Sequence, residues 1–366
     1  MPTNNALSAA HQDIVSLDPT QLGQFVSQCL KAAGASGKCA TEARRALLGA
    51  SLRGTDSHGV RLLPHYCKAL AGGRVKGHPQ TRFEKTADAA GLVDADHGLG
   101  HRATYVAVEQ GVELARTTGV AYVGVVNSSH FGAAGSYAIE IAEQGCVGMV
   151  VCNSDSFVLP QGGTQPFHGT NPIAFSAPSR GHRPFMLDMA TSAIPWNRVQ
   201  QFAGSGRSLP RDTAVDDLGQ ETRVPEQAAA LLPLGGLMFG HKGSGLAAMV
   251  DVMSALITGM PYSAQILPMI GDDFSTPRKL SHGVFVMRRD LFIPADQFDI
   301  AMEDYLNAFS AARAQPGERV LYPGEKEWNT ETQRREAGIP FTPDQIEDFE
   351  KLAKLFGLQM PGQVAA

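Results

Sequence analysis

The segment Arg53-Gly54-Thr55-Asp56-Ser57-His58-Gly59-Val60-Arg61 packs hydroxyl, imidazole, carboxylate and guanidinium groups into nine positions. Imidazole suits proton transfer at neutral pH, because its unperturbed pKa is about 6.5. Asp56 is a candidate to orient that ring, and Arg61 to grip a carboxylate with two parallel hydrogen bonds. Helical patterns flank the segment, so it reads as a loop held on a rigid scaffold. An ordinary polar turn between helices, with Ser57 as a cap, has the same composition.

A second cluster, Asn127-Ser128-Ser129-His130-Phe131-Gly132, follows a strand pattern and precedes a helical one. Ligands of open α/β sheets collect at such strand ends, and helix amino termini attract anions. His130 is therefore an acid/base or ring-stacking candidate, although Ser and Asn also favour plain helix caps. Asp188-Met189-Ala190-Thr191-Ser192 sits at another strand-to-helix junction, and His241-Lys242-Gly243-Ser244-Gly245 puts a cation and two glycines before an apolar helix. Tyr322-Pro323-Gly324-Glu325 alone reads as a turn. Several polar junctions in one chain fit a large phosphorylated cofactor better than a small ligand.

Three further patterns fail on their own chemistry. Gly98, Gly100 and Ala103 match a dinucleotide fingerprint, but the next strand ends at Asn127 instead of the acid that would hold a ribose. Gly235 to Gly240 mimics a P-loop, yet His241 stands where its lysine belongs. His97 and His101 are four apart with two glycines between them and no adjoining glutamate, a poor metal pair.

These groups need elements to hold them. Helices are expected from Asp18-Pro19, over 41–52 and over 62–70, so the first 80 residues form a helical part. Strands at 91–95, 120–126, 147–152, 172–177 and 184–188 alternate with helices at 102–117, 132–144, 193–203 and 243–258, the mark of an α/β layer over 81–277. Residues 278–366 add a strand at 282–288 and helices near 296–313 and 343–356, and are expected to pack back on the N-terminal part. Residues 204–230 read as a long loop. The chain's 366 residues suggest two domains, and 43% hydrophobic with 18% charged residues is a globular composition. A net charge of −5 argues against nucleic-acid binding. No apolar run approaches the ~20 residues of a membrane helix. Five scattered cysteines without CxxC spacing argue against a disulfide framework or zinc knuckle. With no basic or apolar leader pattern at its start, the chain is expected to be cytoplasmic.

In combination and order, LRGTDSHGV (52–60), NSSHFGAAGSYA (127–138), GTNPIAF (169–175), LDMATS (187–192), LPLGG (232–236), HKGSGLA (241–247) and YPGE (322–325) resemble the malate/L-lactate dehydrogenase family. That family also holds ureidoglycolate and sulfolactate dehydrogenases, diketogulonate reductase and piperideine/pyrroline-2-carboxylate reductases. The resemblance implies a mixed-sheet nucleotide-binding fold unlike the Rossmann type, with a helical domain built from both termini. It implies hydride transfer between NAD or NADP and C2 of a small 2-oxo or 2-hydroxy acid, and a homodimer. A cyclic 2-imino acid is the alternative substrate, and a non-catalytic nucleotide-binding protein the rival of another class.

Matched residue by residue, the resemblance makes His58 the proton donor, Ser57 its hydroxyl partner and His130 a proton acceptor. It places Ser154, Asp188, Met189, Ala190, His241, Lys242, Gly324 and Glu325 on the dinucleotide, and Tyr66 and Thr170 in the substrate pocket. Many members carry an arginine four residues after the catalytic histidine; here that position is Leu62, and Arg61 comes one place earlier.

Overall fold

The structure is a computed structural model that describes residues 14–364. Strand β1 (Val15–Leu17) leads into helices α1 (Pro19–Ala32), α2 (Gly37–Leu52) and α3 (Leu63–Ala71). Asp18 caps α1 by accepting from the Gln21 amide, and Ser36 caps α2 by accepting from Cys39. Strands β2 (Arg82–Ala87) and β3 (Ala90–Asp94) form a hairpin, followed by α4 (Gly100–Thr118), β4 (Val120–Ser128), α5 (Gly135–Glu143) and β5 (Cys146–Cys152). Next come β6 (Ile173–Ala177), β7 (Phe185–Met189), α6 (Trp196–Gly204), the short pair β8 (Ala214–Val215) and β9 (Ala230–Leu231), and α7 (Gly236–Ser254). The chain continues through β10 (Leu280–Arg288), α8 (Ala295–Ser310), α9 (Glu325–Ala337), β11 (Ile339–Phe341) and α10 (Pro343–Phe356).

Seven strands form one sheet in the order β2-β3-β4-β10-β5-β6-β7. Only β3 and β4 run parallel, joined through α4; every other neighbouring pair is antiparallel. The central strands β4, β5 and β10 read as near-continuous apolar runs because both of their faces are covered. Val150 faces α4 and α5, while its neighbour Val151 packs with Val250 of α7 on the opposite face. Such a mixed sheet is not a doubly wound Rossmann layer. Gly98 and Gly100 serve close packing: a Cβ on Gly100 would run into the Ser129 carbonyl, and one on Gly98 into Pro79.

β10 lies in the middle of the sheet, so a boundary at 277/278 cuts through the layer it was meant to delimit. β11 and α10 join the N-terminal helices, whereas α8 packs with Ile139 of α5 and Met186 of β7 on the sheet layer. β11 pairs with β1, and Ile339, Phe341 and Phe349 share one core with Leu22, Phe25, Leu47 and Leu63.

Elements without apolar periodicity escaped the sequence reading. β2 is an edge strand with almost every side chain exposed. α9 buries Glu325, Trp328 and Glu331, two of the three charged, so no apolar stripe marks it. The helix expected from Gly132 starts at Gly135, leaving His130 in a loop. The one expected from 243 starts at Gly236, with a kink at Phe239.

Candidate functional site

α2 ends at Leu52, and two single turns of 3-10 helix, Asp56–His58 and Val60–Leu62, carry the chain into α3. The turn is seated against the end of α2: Ser51 Oγ accepts from the Val60 amide at 2.9 Å, and a Cβ on Gly59 would collide with that hydroxyl. Ser57 Oγ lies 2.8 Å from His58 Nδ1, and Asn197 Nδ2 donates to the Ser57 carbonyl at 3.2 Å. Asp56 does not orient His58. Both of its carboxylate oxygens are taken by Arg334 of α9, at 2.6 and 2.9 Å.

β4 delivers the second cluster. Ser129 Oγ accepts from the Gly100 amide at 3.0 Å and donates to the Gly98 carbonyl at 2.9 Å, fixing the loop after the strand. The His130 ring then stacks on His58, with centroids 5.6 Å apart and planes 21° apart. Tyr66 Oη is 2.6 Å from His130 Nδ1, and the Gly132 amide points at the same nitrogen at 3.3 Å. A backbone N–H can only donate, so Nδ1 is an acceptor and the neutral ring carries its proton on Nε2. In that tautomer His130 presents an N–H donor at Nε2. Burial, helped by the charge of Arg61, pushes His58 down to about 4. Burial also holds His130 well below its ordinary range, with His58 adding to the effect. Both rings are neutral at pH 7.

These two histidines form one wall of a cleft of about 700 Å³, counting the space at its mouth. Ser57, Ser154, Thr170, Asp188, Met189 and Ala190 line it as well. Ser154 and Thr170 are tied together: the Thr170 amide donates to Ser154 Oγ at 3.0 Å, and Asn171 Oδ1 accepts from the Ser154 amide at 3.0 Å. Asn171 Nδ2 donates to the Ala247 carbonyl of α7 at 3.0 Å, and Ser263 Oγ donates to Asp251 of the same helix at 2.9 Å. Asp188 accepts from the Gly135 amide at 2.9 Å, and burial raises its carboxyl to about 6.

A second hollow of about 440 Å³ shares Thr55 and Asp188 with the cleft and adds Met186, Pro323 and Gly324. The two lobes meet at Asp188, so Asp188, Met189, Ala190 and Gly324 would be the residues to hold a dinucleotide. Gly324 has φ +99, and a Cβ there would press on Met186, so this floor approaches backbone to backbone.

Several expected residues lie elsewhere. Arg61 does not line the cleft, although its charge reaches His58. Tyr66 is buried behind His130. Glu325 is buried and occupied by Arg319 and the Tyr322 amide. His241 and Lys242 sit inside α7 on its exposed side, not ahead of a helix start, so no amide cradle forms there. Asn153, Asn171 and Asn197 were missed, and Thr55, though part of the 53–61 segment, was given no role. Asn171 carried a signal as a polar residue inside the GTNPIAF run.

A family model described as malate/L-lactate dehydrogenase matches residues 17–350. The malate dehydrogenase of Pyrococcus abyssi is 34% identical over 358 residues, covering 95% of this chain and 97% of its own. The NAD(+) ureidoglycolate dehydrogenase of Escherichia coli O157:H7 is 31% identical over 324 residues, 88% of this chain and 91% of its own. Among solved structures, the delta1-piperideine-2-carboxylate reductase of Pseudomonas syringae matches with a TM-score of 0.80 at 30% identity, over 92% of this chain and 99% of that one. Together with the paired histidines on the wall of a two-lobed cleft, these matches mean that the chain belongs to the malate/L-lactate dehydrogenase family.

Proposed function

We propose that this protein is an NAD(P)-dependent oxidoreductase that interconverts a small 2-hydroxy acid and its 2-oxo acid. The observation that carries this reading is the stacked His58–His130 pair, with Ser57 on His58 Nδ1, opening on a cleft shaped for a dinucleotide. When bound, the cofactor accepts or supplies a hydride at C2. Ser57 fixes His58 Nδ1 and leaves Nε2 for proton transfer. In oxidation the neutral His58 takes the hydroxyl proton; in reduction the protonated ring returns it to the carbonyl oxygen. His130 offers its Nε2 proton to the same oxygen, and Tyr66 holds the ring in that tautomer. Thr170 and Ser154 bind substrate and cofactor on the facing wall, and Asp188, Met189, Ala190 and Gly324 support the dinucleotide.

The likeness to a piperideine-2-carboxylate reductase favours one second reading, reduction of a cyclic 2-imino acid at the same site. A screen at 340 nm of pyruvate, oxaloacetate and piperideine-2-carboxylate with NADH and NADPH separates the two. Nucleotide binding beside a fully negative panel contradicts both.

We further propose a cytoplasmic homodimer. No helix among the described residues is long and apolar enough to cross a membrane. Met238, Phe239, Val252, Leu256 and Ile257 are nonetheless exposed along α7 and the turn after it, a stretch that a second copy would cover. His241 and Lys242 belong to the same helix, so their cofactor contacts are proposed to form at that interface.

A further inference from the structure

The end of β4 is bulged. Leu280 of β10 pairs with Ser128 but His282 pairs with Val125, so Val126 and Asn127 lie against Ser281 alone, and Asn127 takes φ +51. A bulge bends the strand that carries it and re-aims the side chains beyond it. Here the chain beyond the bulge meets the ring of His282 twice. His282 Nε2 lies 2.7 Å from Ser128 Oγ, and the same ring stacks on Phe131, with centroids 4.6 Å apart and planes 9° apart. Ser128 and Phe131 bracket Ser129 and His130 in the chain. Tyr137 of α5 completes the clamp: its ring stacks on Phe131 with centroids 5.1 Å apart, and its hydroxyl donates to the Phe131 carbonyl.

His282 is wholly buried, does not line the cleft, and has no partner for its Nδ1 among the described residues. As core filling alone an imidazole is a costly choice, because a buried polar nitrogen without a partner gives up its hydration for nothing. Burial, with His101 nearby, pushes the ring down to about 3, so it is neutral and its contacts stay the same across the neutral range. What the ring does provide is a two-point grip on the segment that carries His130.

We propose that His282 is a positioning residue for His130: its bond to Ser128 and its stack on Phe131 fix the loop so that His130 keeps its place beside His58. This rests on the reading of His130 as a hydrogen-bond donor to the reacting oxygen. The Ser129 hydroxyl holds the same loop to Gly98 and Gly100 at the start of α4, and the His282 ring holds it from the sheet. A shift of the loop moves His130 against both Tyr66 and His58. Misplacement by about 1 Å in such geometry tells on the chemical step and not on nucleotide binding.

Three variants of the full chain separate the two contacts. His282→Phe keeps a ring on Phe131 and loses the bond to Ser128, His282→Gln keeps a polar group for Ser128 and loses the ring, and His282→Leu loses both. Circular dichroism checks that each is folded. The measurements are kcat and KM for the accepted substrate, NADH affinity by fluorescence titration, and the ring nitrogen resonances of His130 by NMR, identified by their loss in His130→Gln. In His282→Leu kcat should fall about tenfold or more while NADH affinity stays within about twofold, and the kcat loss should be smaller in the other two. The His130 nitrogens, one bare and one protonated in the wild type, should move toward averaged tautomers in His282→Leu, because Tyr66 and Gly132 no longer hold Nδ1. A folded His282→Leu with wild-type kcat, or with unchanged His130 resonances, would overturn the proposal and leave His282 as core filling. A fall in kcat matched by an equal fall in NADH affinity marks general loosening of the fold and also overturns it. If His282→Leu does not fold, wild-type kcat in both His282→Phe and His282→Gln overturns it instead. A wild type that reduces no 2-oxo or 2-imino acid takes down the activity reading, and the His130 resonances then decide the positioning role by themselves.

Discussion

At the residue scale the proposed chemistry rests on His58. The candidate was legible in the 53–61 run, where a hydroxyl and an imidazole stand side by side, although an ordinary polar turn has the same composition. The partners were not legible. Asp56 is two residues away in sequence, yet Arg334, 278 positions further on, claims its carboxylate, and no local pattern could show that. The depressed His58 sets a pH dependence. With a folded value near 4, the ring is neutral and fit to accept a proton from well below neutrality upward. Oxidation should therefore hold its kcat/KM down to about pH 5 and lose it as pH falls through the His58 value. Because the Arg61 charge contributes to that depression, Arg61→Leu should move this acid limb to higher pH. A pH–rate profile of the two proteins checks this; coincident acid limbs would remove Arg61 from the electrostatics of the site.

At the scale of elements, strands with apolar runs and helices with apolar stripes could be read from the sequence, and those built on buried charge could not. α9 is the clearest case. Its inward Glu331 is matched by Arg183 and Arg335, and its Arg334 reaches across to the catalytic turn. Arg334→Ala strips both contacts from the Asp56 carboxylate and frees the turn that carries Ser57. The expected result is a kcat loss of about tenfold or more with nucleotide affinity nearly unchanged, since positioning errors tell on the reacting geometry. Stopped-flow kinetics beside a nucleotide titration would show it, and a wild-type kcat would confine Arg334 to stability. For the proposed interface along α7 and the turn after it, Ile257→Glu should shift the protein from dimer to monomer in light scattering and weaken nucleotide binding. Lys242→Ala should weaken nucleotide binding without changing the mass. A dimer that survives Ile257→Glu places the interface on another face.

At the scale of the whole molecule, a set of buried histidines ties stability to pH. Burial holds His58 and His65 at about 4, and His101 and His282 at about 3. In the unfolded chain these rings take up protons below about 6.5, while the folded chain does not. Their contribution is complete above that value and is lost as pH falls toward 4 and below. Asp188 has the opposite sign: raised to about 6 from an ordinary 3.8, it favours the folded state most at low pH and loses that contribution as pH rises through 6. Four histidines outweigh one carboxyl, so scanning calorimetry should give a lower Tm at pH 5 than at pH 7. An equal or higher Tm at pH 5 would mean that these rings are more open to water than their burial indicates. The same compact site makes the central claim testable in one step. Single-turnover reduction of the accepted 2-oxo or 2-imino acid, followed at 340 nm in wild type and His58→Asn with nucleotide affinity measured alongside, asks whether His58 moves the proton. A rate lower by ~10²–10⁴ with unchanged nucleotide affinity is the predicted result, and a near wild-type rate in a folded His58→Asn variant would contradict the assignment and transfer the proton to another group.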